Sequence, residues 1–225
     1  MRLGVIQSNY IPWRGYFDFI RSCDVFVLYD CVQYTKQDWR NRNKVKLNDG
    51  LHWISVPVKY DHVHTPINEI PIIGRDWRPY HKGVFENAFR RCPHAKEAIS
   101  LWESVDEPML SPLNQRLIQA ICDYLEIKTP LLDSRQFGLE GVKTERLITL
   151  CRKVGADTYL SGPAAKGYLD VASMNDAGIR VEWKEYHYDP YPQPWGAFEG
   201  AVTVLDLIAN TGRDARNHII SKVKP

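Results

Sequence analysis

The chain has 225 residues, a formal net charge of +2, and 44% hydrophobic and 25% charged side chains, a balance ordinary for a soluble globular protein and too weakly basic to imply DNA binding. No apolar run approaches the roughly 20 residues that cross a bilayer, and the start lacks the pattern of a secretory signal. The five cysteines are scattered without a C-x-x-C pair, which argues against a disulfide framework or a zinc site, so the expectation is a cytoplasmic protein with no transmembrane segment and no metal.

In chain order, Leu3 to Ile6 form a short apolar run that stops at Gln7, Ser8 and Asn9, and residues 25–28 form a second that stops at Tyr29 and Asp30. Two such runs around a helix-length segment predict strand, helix, strand, with Ile11, Phe17 and Ile20 facing the core and Pro12 in the first helical turn. Residues 34–46 hold five Lys or Arg against one Asp, a local anion site at most. Asn48-Asp49-Gly50 predicts a turn and residues 52–58 a hairpin or edge strand. Residues 60–66 read as loop, with His62 and His64, and residues 67–73 as a further strand. A helix from Pro79 to Cys92 and another from Ser111 to Leu125 should pack together. Residues 143–154 read as helix ending at Gly155, 158–160 as a strand closed by Ser161-Gly162-Pro163, and 164 onward as a small helix. Residues 179–183 make a last strand, 188–195 a proline- and aromatic-rich loop, and 203–208 a final helix before a basic tail at 213–224. Helices between short apolar strands predict an α/β fold built on a mainly parallel twisted sheet with flanking helices. Residues 1–225 are expected to form one domain, with 79–128 a helical insertion.

The residues that could carry chemistry fall into clusters. Gln7, Asn9, Tyr10, Trp13, Gly15 and Tyr16 offer amide and phenol hydrogen bonds and a stacking face, and Gly15 allows close approach; alternatively they are an ordinary polar turn with partly buried aromatics. Asp30, Gln33, Tyr34, Lys36, Arg40, Asn41 and Arg42 could seat a diphosphate through the arginine forks, or form a solvated basic strand. Lys143 and Thr144 either meet an anion or cap a helix. Ser161, Gly162 and Lys166 occupy a turn before a helix, where free amides and the dipole favour an anion. If the strand holding Tyr159 lies beside the strand holding Val5, the two turns face one ligand at the switch point of the sheet. Gln193 and Trp195 lie in a loop that either covers a pocket or simply connects. Among the histidines, His81 beside Trp77 and Tyr80 is the first candidate for a general base, with Asp30 and Asp206 as rivals. Neither a Ser-His-Asp order nor HExxH occurs, and GxxxxGK[ST] and GxGxxG are absent, so hydrolytic, zinc, P-loop and dinucleotide readings lack support.

The runs QSNYIPWRGYFDFI, VLYDCVQYTKQDWRNRNKVK, KTERL, SGPAAKGYLD and YPQPWGAFEGAVTVLDLIANTG together resemble the WbqC-like family of bacterial proteins over nearly the whole chain. The resemblance implies a place beside enzymes of O-antigen and other surface-polysaccharide (lipopolysaccharide) biosynthesis and a role with nucleotide-linked sugars. One such setting makes a 4-amino-4,6-dideoxyhexose whose amine carries a glycyl or related acyl group. A more distant similarity is to nucleotidyltransferases and class I aminoacyl-tRNA synthetases, the HUP-like layout. There Trp13-Arg14-Gly15-Tyr16 stands where those proteins have H-x-G-H, and the loss of both histidines puts nucleotidyl transfer in doubt.

These readings combine into the expectation of a transferase that N-acylates the amine of a nucleotide-linked amino sugar. Arg40, Arg42 and Lys143 would hold the diphosphate, Trp13 or Tyr10 would stack, Gln7, Asn9 and Gln193 would read hydroxyls, and His81 would take the proton. The donor could be an acyl-CoA, an activated amino acid or an aminoacyl-tRNA. The alternatives are a non-catalytic nucleotide-sugar binding or scaffolding protein working with pathway enzymes, and a residual nucleotidyltransferase.

Overall fold

The computed structural model describes residues 1–60 and 64–222; His62 and Lys224 lie outside the described residues. The elements in chain order are β1 (Arg2–Ile6), α1 (Arg14–Arg21), β2 (Val25–Leu28), β3 (Arg42–Leu47), β4 (Gly50–Ser55), α2 (Trp77–Phe89), α3 (Ala95–Glu103), α4 (Leu110–Tyr124), β5 (Leu131–Asp133), α5 (Lys143–Val154), β6 (Thr158–Ser161), α6 (Val171–Asp176), β7 (Arg180–Trp183), α7 (Val204–Thr211) and α8 (Ala215–His218).

The main sheet runs β5-β2-β1-β6-β7 and every pairing in it is parallel. β1 is central, with Leu3 opposite Val25 of β2 on one side and Tyr159 of β6 on the other. Both faces are covered, which is why the strands are apolar at successive positions rather than alternating with polar ones. Leu3, Val5, Val25, Val27 and Tyr159 face one core with Leu150 and Cys151 of α5 and Met174 of α6. Phe26, Leu28 and Leu160 face the other with Phe17, Phe19 and Ile20 of α1 and the apolar sides of α2, α3, α4 and α7. α1 comes especially close at Gly4, where a Cβ would stand 2.6 Å from both Cys23 Sγ and Phe19 Cε1.

The expected α/β class and parallel sheet are what the chain forms, and several local expectations change. α1 starts at Arg14 with Trp13 in the flanking N-cap position, so Pro12 precedes the helix. β3 and β4 form a separate antiparallel hairpin turning at Asn48-Asp49, with Gly50 at φ 123°. Residues 67–73 are not a strand. Residues Ile67–Glu69 make a 3-10 turn that puts both Ile67 and Ile70 into a small core with Tyr34 and Leu110, and only isolated bridges at Pro71 and Ile72 follow. Three short elements are not announced by the sequence pattern: β5, three residues long, α3, and α8 within the expected basic tail. α3 alters the expected packing, because α2 and α4 each pack against it.

Candidate functional site

Chain order changes direction at β1. The connection from β1 leads to β2 on one side, whereas β6 arrives on the other, so the loops leaving β1 and β6 diverge and open a crevice at the carboxyl ends of the strands. A cleft of about 500 Å³ lies there. Val5 contributes from β1, Gln7 and Tyr29 from just past the ends of β1 and β2, and Tyr159 from β6. Lys143, Thr144 and Arg146 contribute from the first turn of α5, and Ala165, Tyr168 and Leu169 from the segment after β6. The expected adjacency of the Val5 and Tyr159 strands is therefore present.

The first turn of α5 presents unpaired backbone amides and the positive end of its dipole to this cleft. Lys143 holds φ at 48°, a left-handed conformation that is unusual for a residue with a side chain. Thr144 is buried, and its hydroxyl accepts from the Asp170 amide at 3.1 Å, which leaves its own proton to donate. The Arg146 guanidinium donates to the Leu139 carbonyl at 3.0 Å, while its Nε has no hydrogen-bond partner among the described residues. Burial pushes the Tyr29 phenol up to about 12, against the nearby Arg146 charge, and raises Tyr159 as well. Both tyrosines are neutral hydrogen-bonding groups at pH 7. Among the described residues that line the cleft there is no histidine and no carboxylate.

A second cavity of about 250 Å³ is lined by Asn9, Pro12, Trp13, Trp39, Asn43 and Ala201. Between the two stands Arg40, which donates to Gln7 Oε1 at 3.3 Å and to Asn9 Oδ1, and pairs with Asp38 at 3.6 Å. Its guanidinium is committed to these three partners and is largely covered, with 12% of the side chain exposed.

The other expected site residues are engaged elsewhere. Tyr16 is buried and donates to the Gln7 carbonyl at 3.0 Å, which orients the loop leaving β1. Gly15 makes room for the Trp13 indole, which would lie 2.3 Å from a Cβ there. Asp30 is fully buried and accepts from the Ser8 amide at 2.8 Å, Ser111 Oγ at 2.5 Å and Gln115 Nε2 at 3.0 Å, so it ties the loops after β1 and β2 to α4. Tyr34 donates to Asn41 at 2.9 Å, Lys36 sits over the Tyr60 ring at 4.8 Å, and exposed Gln33 meets His64 at 3.4 Å. Arg42 covers the face of Trp53 at 4.1 Å. Ser161 is buried at the end of β6 next to Gly162, and Lys166 leans over Trp183 at 5.5 Å. Gln193 is spent on Glu199 and on Asp206 of α7 and accepts from Lys46 at 2.9 Å. Trp195 donates to the Ala88 carbonyl at 2.8 Å between Arg90 and Arg91. The loop at 188–195 is thus anchored to α2 and α7 and does not cover the cleft.

His81 is the largest departure. It is fully buried among Tyr10, Trp77, Phe85 and Trp102 and lines neither cavity. Trp102 Nε1 donates to the Tyr10 hydroxyl at 2.8 Å, so that hydroxyl gives its proton to His81 Nδ1 at 3.0 Å. Burial lowers the imidazole to about 4, with the Ser55 backbone opposing and the Arg78 charge assisting. The ring is a hydrogen-bond acceptor in a closed aromatic core, away from any solvent-borne substrate. Tyr10, equally buried, is its partner there.

A sequence profile of the WbqC-like protein family matches residues 7–218. The chain belongs to that family. It is also 43% identical over 224 residues to the uncharacterized protein Rv1507c of Mycobacterium tuberculosis (strain ATCC 25618 / H37Rv), with 97% of each chain covered. No solved structure matches. The matched span of this WbqC-like chain includes the cleft residues from Gln7 onward, the first turn of α5 among them. Among the described residues no helix is long and apolar enough to cross a membrane.

Tyr29, Arg146, Tyr159 and Tyr168 line the cleft without having been singled out as ligand residues. The signals existed: Tyr29 follows an apolar strand directly, and Arg146 stands three residues after Lys143, on the same helical face.

Proposed function

We propose that this WbqC-like chain binds a nucleotide-linked sugar in the switch-point cleft and presents its amine for N-acylation. The reading is carried by one observation: the first turn of α5, with Lys143 and Arg146, meets the ends of β1 and β6 in a cleft lined by three tyrosines. Helix amides, a lysine and an arginine fork suit a diphosphate, and neutral phenols with Gln7 suit the hydroxyls and ring faces of a sugar. The polysaccharide setting implied by the family resemblance supports the same ligand class.

In this reading the chain supplies binding and orientation. With no histidine or carboxylate among the described residues that line the cleft, the neutral sugar amine attacks the acyl carbonyl, the bond from that carbonyl to the donor's leaving group breaks, and the amine proton goes to solvent or to the leaving group. His81 takes no part. The nucleotidyltransferase alternative loses support because Trp13 and Tyr16, which stand in place of the two histidines, pack against Tyr186 and the Gln7 carbonyl.

Titration with a nucleotide-linked 4-amino-4,6-dideoxyhexose should give saturable binding. Each of Lys143→Ala and Arg146→Ala should weaken it about tenfold, the low end for a charge-assisted hydrogen bond. Equal affinity in wild type and both variants would remove the site. Product formed from this protein, the sugar and an acyl donor alone identifies a transferase; binding without product identifies a presenting protein that needs a pathway enzyme.

A further inference from the structure

The smaller cavity has a composition of its own. Trp13 and Trp39 present indoles to it, Asn9 and Asn43 are its amides, and Pro12 and Ala201 complete the wall. Asn43 is consumed internally, donating to the Tyr10 and Ile11 carbonyls at 3.0 and 2.8 Å. That clamp holds Ile11 at φ 38°, a conformation a β-branched residue adopts only when its surroundings impose it. Asn9 gives its carbonyl oxygen to Arg40, so its amide N–H groups remain for a ligand. The polar equipment is thus one amide beside two indole rings. Outside the wall, Trp39 meets Trp53 with ring centroids 5.2 Å apart, and Trp53 carries Arg42 at 4.1 Å and Lys44 at 5.1 Å. Trp39 and Trp53 are both about 40% exposed, at 40% and 42%.

Going beyond the switch-point reading, we infer that this cavity is a second ligand site, which takes the base of a nucleoside phosphate. Its planar ring stacks on Trp39 and Trp13, its edge meets the Asn9 amide, and its phosphate reaches Arg42 and Lys44. Stacking on indole tolerates any base, and the remaining N–H groups of the Asn9 amide donate to an acceptor on the base edge. The basic residues on the rim distinguish a nucleotide from an uncharged aromatic ligand. Arg40, tied to Gln7 of the cleft and to Asn9 of the cavity, is the wall between the two sites.

Equilibrium dialysis of the full chain with adenosine and uridine 5′-monophosphates, and with the two nucleosides, tests this. A nucleotide should bind, and Trp39→Ala, an exposed position whose loss leaves the core intact, should weaken it at least tenfold. Arg42→Ala combined with Lys44→Ala should erase the preference of nucleotide over nucleoside. Absence of binding by both nucleotides, wild-type affinity in Trp39→Ala, or dependence on Lys143 and Arg146 instead would overturn the inference. The two sites fail separately: Trp39-dependent nucleotide binding without nucleotide-sugar binding removes only the cleft assignment, and the reverse removes only this one.

Discussion

The imidazole of His81 accepts a hydrogen bond from Tyr10 in a site that cannot solvate an added proton, and this coupling makes stability depend on pH. Its folded value of about 4 lies below the ordinary 6.5. Between those values the unfolded chain binds a proton that the folded chain does not. The contribution is therefore fully present above pH 6.5, shrinks as pH falls and levels off below 4. A difference of that size is worth about 3 kcal/mol. Urea unfolding from pH 7 to 4 should show this loss in the wild type and not in His81→Phe; parallel curves would place the proton elsewhere. Asp30 is a second buried polar residue held by several partners. With the Ser8 amide, Ser111 hydroxyl and Gln115 amide all donating to it, Asp30→Asn turns a donor toward donors and should cost about 3 kcal/mol. Unchanged unfolding would show that those donors find other partners. Both residues drew notice as possible catalysts because buried and catalytic polar groups look alike in a sequence. Only the burial and the partners separate them.

At the scale of elements, the packing of α1 on β1 depends on one missing side chain. Gly4→Ala would place a methyl against Cys23, Phe19 and Phe26, at 2.6, 2.6 and 2.9 Å, and should destabilise the fold by about 1–3 kcal/mol without altering ligand affinity directly. An unchanged melting temperature would mean that α1 can retreat from the sheet at no cost. The strands and long helices were legible because burial on both faces writes apolar runs, and an amphipathic helix writes a 3.6-residue period. β5 was not legible, since three residues carry no period. Residues 67–73 misled for a related reason: Ile67, Ile70, Ile72 and Ile73 fit a strand, yet Ile67 and Ile70 reach the same small core through a 3-10 turn.

For the whole molecule, the position of the cleft was more legible than its lining. The chain order implied a switch point between the strands of Val5 and Tyr159, and the cleft opens there. Which side chains enter it follows from the fold. Gln7, Lys143 and Thr144 do so. Trp13, Arg42, Gln193 and Trp195 are drawn into other contacts by aromatic and loop packing that acts over long sequence separations. Hydrogen exchange in the presence and absence of a nucleotide-linked 4-amino sugar reads the central claim most directly. Amides at 141–146, leading into and within the first turn of α5, together with those at 7–9 after β1, should gain protection on binding. Protection confined to the β3–β4 hairpin, with the α5 amides unchanged, would contradict the switch-point site.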